Sequence, residues 1–105
     1  MKASNYRAAV ATLLLGAAAA PSQAETIEVT VDRLVYAPAE IAAKVGDEIE
    51  WINKDALVHT ATVKGGAEVL LPAKKSGRLL LQQPGSFDYI CRYHPNMKGH
   101  ITVQP

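Results

Sequence analysis

Residues 86–103 read "SFDYICRYHPNMKGHITV", and two patterns meet in them. Phe87, Tyr89 and Cys91 recur at every second position at the start of the stretch. Ile101 and Val103 do the same at its end. A period of two marks strands with one buried face. Between the two strands lies "CRYHPNM", which holds the only cysteine of the chain, a histidine and a methionine, with Pro95 and Gly99 favouring a tight reversal. A loop this short draws the Cys91, His94 and Met97 side chains into one small volume.

The same alternation extends upstream. Ile27, Val29 and Val31 share a face in "TIEVTV", and Ile49 and Trp51 oppose Glu48 and Glu50 in "DEIEWIN". His59, Ala61 and Val63 fall together in "LVHTATV", so His59 belongs to an inward-facing set. Pro38 breaks the chain before a short strand near residues 40–44, and Gly46-Asp47, Gly65-Gly66 and Pro84-Gly85 supply turns. "EVLLP" is short and ambiguous, whereas "GRLLLQQ" reads as another strand. Seven or eight short strands at regular spacing, with no helix after the leader, predict an all-β domain of antiparallel sheets packed face to face.

The first residues carry a different signal. Lys2 and Arg7 form a basic start, an apolar run extends from Ala8 to Ala20, and Ser22 and Ala24 place small residues before a cleavage point. This is the plan of a cleaved signal peptide over residues 1–24, too short in its apolar part for the ~20 residues of a membrane span. Residues 25–105 then form a single domain exported to a periplasm-like space. Loss of Lys2 and Arg7 takes the formal charge from +1 to −1, which points to neither nucleic acid nor stable membrane association. An exported chain with Cys91 alone has no internal disulfide. Its thiol is free, bridged to another molecule, or held as a thiolate by a metal.

Taken singly, Met97 reads as core filler, Cys91 as a small buried hydrophobe and His59 as a histidine beneath a sheet. Taken together, with His94, they form a set of two imidazoles, a thiolate and a thioether. That set suits a copper ion cycling between two oxidation states; zinc has no use for the thioether. His100 alternates with Ile101 and is expected to face solvent, outside the site.

"FDYICRYHPNM" after Pro-Gly, "MKGHITV" following it and "KVGDEIEWINKDALVHTAT" upstream resemble the blue-copper (cupredoxin) family over about residues 35–103. The short Cys-x-x-His-x-x-Met spacing is most similar to its amicyanin-type members. The resemblance implies a Greek-key β-sandwich and one type 1 copper held by His59, Cys91, His94 and axial Met97. It further implies a monomeric electron carrier, not an enzyme, in the bacterial periplasm. Its implied partners are redox proteins: a c-type cytochrome and a periplasmic dehydrogenase, an amine dehydrogenase in particular.

In that reading His94 is the electron's exit, rimmed by Leu57, Val58, Pro95 and Met97, while Arg92 and Lys98 steer an acidic partner. The competing reading is copper carriage with the same ligands. Multicopper catalysis is excluded because three histidines cannot build further copper clusters. The sequence departs from the family at Thr60, where an asparagine is usual, and at Arg92 and Tyr93 between the two loop donors.

Overall fold

A computed structural model of the chain describes residues 23–105, so the signal peptide expected over 1–24 falls almost wholly outside the described residues. Nine strands are present among them: β1 (Thr26–Asp32), β2 (Val35–Ala37), β3 (Glu40–Lys44), β4 (Glu48–Asn53), β5 (His59–Val63), β6 (Glu68–Leu71), β7 (Ser76–Leu80), β8 (Gly85–Ile90) and β9 (Lys98–Gln104). The count exceeds the expected seven or eight because the three-residue β2 is too short to show a period.

The strands form two sheets, ordered β2-β1-β4-β7 and β3-β9-β8-β5-β6. Period two decides which face each residue takes. In β1, Val29 and Val31 are buried, and in β4 Ile49, Trp51 and Asn53 are buried while their neighbours are half-exposed. Tyr89, Ile101, Val103, Ala61 and Leu71 meet them from the second sheet. Trp51 stands edge-on to Tyr89 with centroids 5.5 Å apart, and its indole N–H donates to the Tyr89 hydroxyl at 3.2 Å. That bond satisfies the one polar group the indole brings into the core. Tyr36 completes an aromatic stack, 4.7 Å from Tyr89.

The sheets are not purely antiparallel as expected. β1 runs parallel to β4 and β3 parallel to β9, while the remaining ladders are antiparallel. A parallel pair needs a crossover of a dozen or more residues, and here the chain between β1 and β4 fills its crossover by visiting β2 and then β3 in the opposite sheet. Alternation carries no information about strand direction, so this feature is invisible to periodicity.

Gly99 shows how closely the second sheet is packed. It pairs with Tyr89 in the β8–β9 ladder, and a Cβ on it would lie 2.2 Å from the Tyr89 ring. The absent side chain leaves room for the ring immediately beside the β8–β9 loop.

Candidate metal centre

The β8–β9 loop is built from two consecutive reversals. The His94 amide donates to the Cys91 carbonyl at 3.2 Å, the Met97 amide to the His94 carbonyl at 2.9 Å, and the Cys91 amide closes the loop on the Met97 carbonyl at 3.3 Å. The spacing of three and three therefore has a structural cause: each turn begins and ends on one of Cys91, His94 and Met97. Cys91 follows the last residue of β8 and is fully buried, Met97 precedes β9 and is also buried, and His94 between them is half-buried.

His59 opens β5 and is fully buried. The loop that delivers it is held by Asn53, itself buried at the end of β4. The Asn53 Nδ2 donates to the carbonyls of Leu57 (2.9 Å), Leu71 (3.0 Å) and Pro72 (3.2 Å), and its Oδ1 accepts from the Asp55 amide at 2.9 Å. One side chain thus ties the loop before His59 to the end of β6.

The two loops meet at sulfur. His59 Nδ1 lies 3.6 Å and His94 Nδ1 3.7 Å from Cys91 Sγ, and the three donor atoms all lie within 4.8 Å of one another. The imidazole rings are 4.9 Å apart, edge to face. Bonds of about 2.0 Å to nitrogen and 2.3 Å to sulfur, opened at about 110–120°, set nitrogen and sulfur about 3.5–3.7 Å apart. Both nitrogen–sulfur spacings therefore fit donors that share one first-row metal ion. The thiol has no disulfide partner among the described residues.

His59 is oriented from behind. Its Nε2 sits 2.8 Å from Asp55 Oδ2; the carboxylate accepts, so Nε2 carries the proton and the Nδ1 lone pair faces the sulfur. Asp55 is held in turn by the amides of Arg33 (2.7 Å) and Leu34 (3.0 Å), the two central residues of the β1–β2 turn. Both adopt positive φ (53° and 64°), as a two-residue type I′ hairpin turn requires. Burial opposes charge on Asp55, but these two amides and the His59 ring outweigh it and hold its carboxyl below the usual value. Sequence reading missed Asp55. Its only linear signal is a carboxylate four residues before a histidine in a loop.

His100 lies outside the cluster, as expected. Its Nδ1 is 2.6 Å from Asp88 Oδ1 and its Nε2 2.8 Å from Ser86 Oγ, on the outer face of the β8–β9 ladder. The order Ser-His-Asp has the connectivity of a hydrolytic triad. It lies on a sheet face whose backbone amides are engaged in ladders, so those amides are not left to hold an oxyanion.

Two expectations about the surroundings are corrected. Met97 is only 3% exposed and cannot belong to the exposed rim, whereas Tyr93 is 52% exposed and joins Leu57, Val58 and Pro95 there. Arg92 is not free to steer a partner, because its guanidinium is clamped by both carboxylate oxygens of Glu68. Thr60, in place of asparagine, still links the two loops: its hydroxyl accepts the Arg92 amide at 2.8 Å.

Comparison with known proteins agrees with this geometry. Residues 6–103 match the family model described as a cupredoxin-like domain. Amicyanin-alpha of Methylorubrum extorquens is 29% identical over 119 aligned positions, covering 99% of this chain and all (100%) of that one. Amicyanin of Paracoccus denitrificans is 34% identical over 85 residues, covering 74% of this chain and 65% of its own. Among solved structures, a reduced amicyanin variant superposes with a TM-score of 0.68 at 29% identity, covering 84% of this chain and 89% of that one. A Cu(I) amicyanin variant gives 0.68 at 29% identity over 75% and 82% of the two chains. Because the match runs through both sheets and both loops that meet at Cys91, this chain belongs to the cupredoxin-like family.

Proposed function

We propose that the protein is a periplasmic blue-copper electron carrier in which His59, Cys91, His94 and Met97 would hold one copper ion. The observation that carries this reading is the pair of imidazole Nδ1 atoms at 3.6 and 3.7 Å from one buried, unbridged thiol. When bound, copper in such a donor set supplies reversible one-electron chemistry.

The chain's own contribution is to hold the donors still. Asp55 pins His59, the two turns of the β8–β9 loop space Cys91, His94 and Met97, and burial of three of the four keeps water away. Donors that need not move when charge changes suit electron transfer, and no open position for a substrate is required. Amicyanin-type proteins carry electrons and do not turn over substrates, and no catalytic residue is proposed.

His94 is the half-buried donor and provides the route by which an electron reaches the surface. Leu57 and Val58 precede His59, and Tyr93 and Pro95 flank His94; all four are exposed around rings only 4.9 Å apart. An apolar rim of this kind suits a small, brief interface with a c-type cytochrome and a periplasmic dehydrogenase, an amine dehydrogenase being the family-specific choice. Lys98 remains exposed for steering. Residues 1–24 are assigned as the signal peptide that delivers a monomeric carrier to the periplasm.

Copper carriage with the same ligands calls for easily exchanged metal, which burial of Cys91, His59 and Met97 opposes. The deciding experiment adds Cu(II) to the protein purified without its leader and records the visible spectrum. An intense blue thiolate-to-copper band, absent in Cys91→Ser, is expected. A colourless protein whose thiol titrates freely would overturn the proposal.

A further inference from the structure

The peptide joining Cys91 to Arg92 is anchored by a circuit that runs to the protein surface and back. The Arg92 amide donates to Thr60 Oγ1 at 2.8 Å, and Thr60 Oγ1 lies 2.8 Å from Thr62 Oγ1. Thr62 Oγ1 is in turn 2.9 Å from Glu68 Oε2, which also receives Arg92 Nε at 2.7 Å, while Arg92 Nη2 binds Glu68 Oε1. The circuit starts at the main chain of Arg92 and ends at its side chain.

Its polarity is fully determined. An ionised carboxylate only accepts, and a hydroxyl has a single hydrogen. The Thr62 hydrogen therefore goes to Glu68, so Thr62 Oγ1 accepts the hydrogen of Thr60. The Thr60 oxygen is left to present its lone pairs to the Arg92 amide. Glu68 is kept ionised because the Arg92 guanidinium and the Thr62 hydroxyl hold its carboxyl below the usual value. Burial grades along the same path: Thr60 is 1% exposed, Thr62 is half-buried, and Glu68 and Arg92 are at the surface.

We propose that Glu68, Thr62 and the Arg92 guanidinium are positioning residues for Cys91, orienting the Thr60 hydroxyl so that it fixes the Cys91–Arg92 peptide. The proposal deepens the reading of Cys91 as a copper ligand and rests on it for its functional meaning. The Glu68–Arg92 pair, by itself a surface ion pair of small worth, acquires a role through the hydroxyls that connect it to the buried loop. Arg92 and Thr60, two of the three departures from the family pattern, are both members of this device. The Arg92 side chain reaches Glu68, and the Thr60 hydroxyl passes the polarity inward to the Arg92 amide.

The test uses the metal-free protein first, so that it does not depend on copper. Hydrogen exchange of the Arg92 amide is followed by NMR at low and high ionic strength, with the Trp51 amide as internal reference. In the wild type, salt screens the exposed pair and Arg92 exchange rises relative to Trp51. Thr62→Val, which keeps the shape and removes the hydroxyl, accelerates Arg92 exchange by about fivefold, the worth of one net hydrogen bond, and abolishes its salt response. Thr62→Ser restores both, and Glu68→Ala, at an exposed site, reproduces the Thr62→Val effect.

Unchanged Arg92 exchange in both Thr62→Val and Glu68→Ala would overturn the proposal. In the copper-loaded protein, the thiolate-to-copper band shifts in Thr62→Val and returns in Thr62→Ser. A protein that binds no copper refutes the proposed function, while the exchange data still decide the positioning of Cys91.

Discussion

Asn53 offers the sharpest test of how the His59 loop is held. Asn53→Ala removes the donors to the Leu57, Leu71 and Pro72 carbonyls and the acceptor for the Asp55 amide, at a site only 2% exposed. Each neutral hydrogen bond contributes about 1 kcal/mol net, so the amide's two hydrogens, shared among three carbonyls, and its one acceptor together amount to about 3 kcal/mol. A domain of this size is stable by about 4–12 kcal/mol at ~0.05–0.15 kcal/mol per residue, so the variant loses about a quarter or more of its stability. With a urea m-value of about 1 kcal/mol/M, the midpoint of the metal-free protein falls by about 3 M.

Tryptophan fluorescence reads this transition well, because Trp51 is buried two residues from the substitution. Asn53→Asp adds a sign test. Its carboxyl would face three carbonyls, raising its folded pKa above the unfolded value, so stability present at acid pH is lost as pH rises. A midpoint within about 1 M of wild type for Asn53→Ala, or an Asn53→Asp variant whose deficit relative to wild type is no larger at neutral than at acid pH, would refute the account of Asn53 as the clamp of this loop.

Gly99→Ala drives a Cβ to 2.2 Å from the Tyr89 ring and costs on the order of 1–3 kcal/mol or more, seen as a lower thermal midpoint; an unchanged midpoint refutes the packing argument. Asp55→Ala frees His59 Nε2 and leaves the Arg33 and Leu34 amides unpartnered, so metal affinity falls by about 10–100-fold in a chelator competition, and equal affinity rejects the orienting role. Asp47, Asp55 and Glu68 all have carboxyls lowered from ordinary values of 3.8, 3.8 and 4.5. For Asp47 the cause is the Glu25 and Lys44 amides. Lowered folded pKa values give stability that is complete above the ordinary values and is lost as pH falls through the depressed ones. Urea midpoints should therefore hold from pH 7 to 5 and drop below about pH 4; a protein as stable at pH 2.5 as at pH 7 contradicts this.

The inward faces of the strands and the three-residue spacing of Cys91, His94 and Met97 were legible in the sequence, because both arise from local backbone geometry. Alternation assigned Val29, Val31, Ile49, Trp51, Tyr89, Ile101 and Val103 to the core, and all are buried. The same rule put His59 inside and His100 outside, and it placed Cys91 at the exit of a strand. A single cysteine, read together with the export leader expected from the sequence, already narrowed the fate of its thiol.

Pairing direction and polar partnership were not legible, because both depend on residues brought together by crossovers between sheets. The parallel β1–β4 and β3–β9 ladders follow from where the chain changes sheet, which no period records. Asp55 acquires its role only when the β1–β2 turn, 22 residues earlier, aims its amides at the carboxylate. Arg92 looked like a free charge because its partner, Glu68, lies 24 residues away. Thr60 stood only as a departure from the family pattern until the fold showed its hydroxyl 2.8 Å from an amide 32 residues along the chain. The sequence by itself determined which donors the loop carries and which faces are apolar. Tertiary structure alone decided what holds those donors, since a hydrogen bond is set by position in space rather than by distance along the chain.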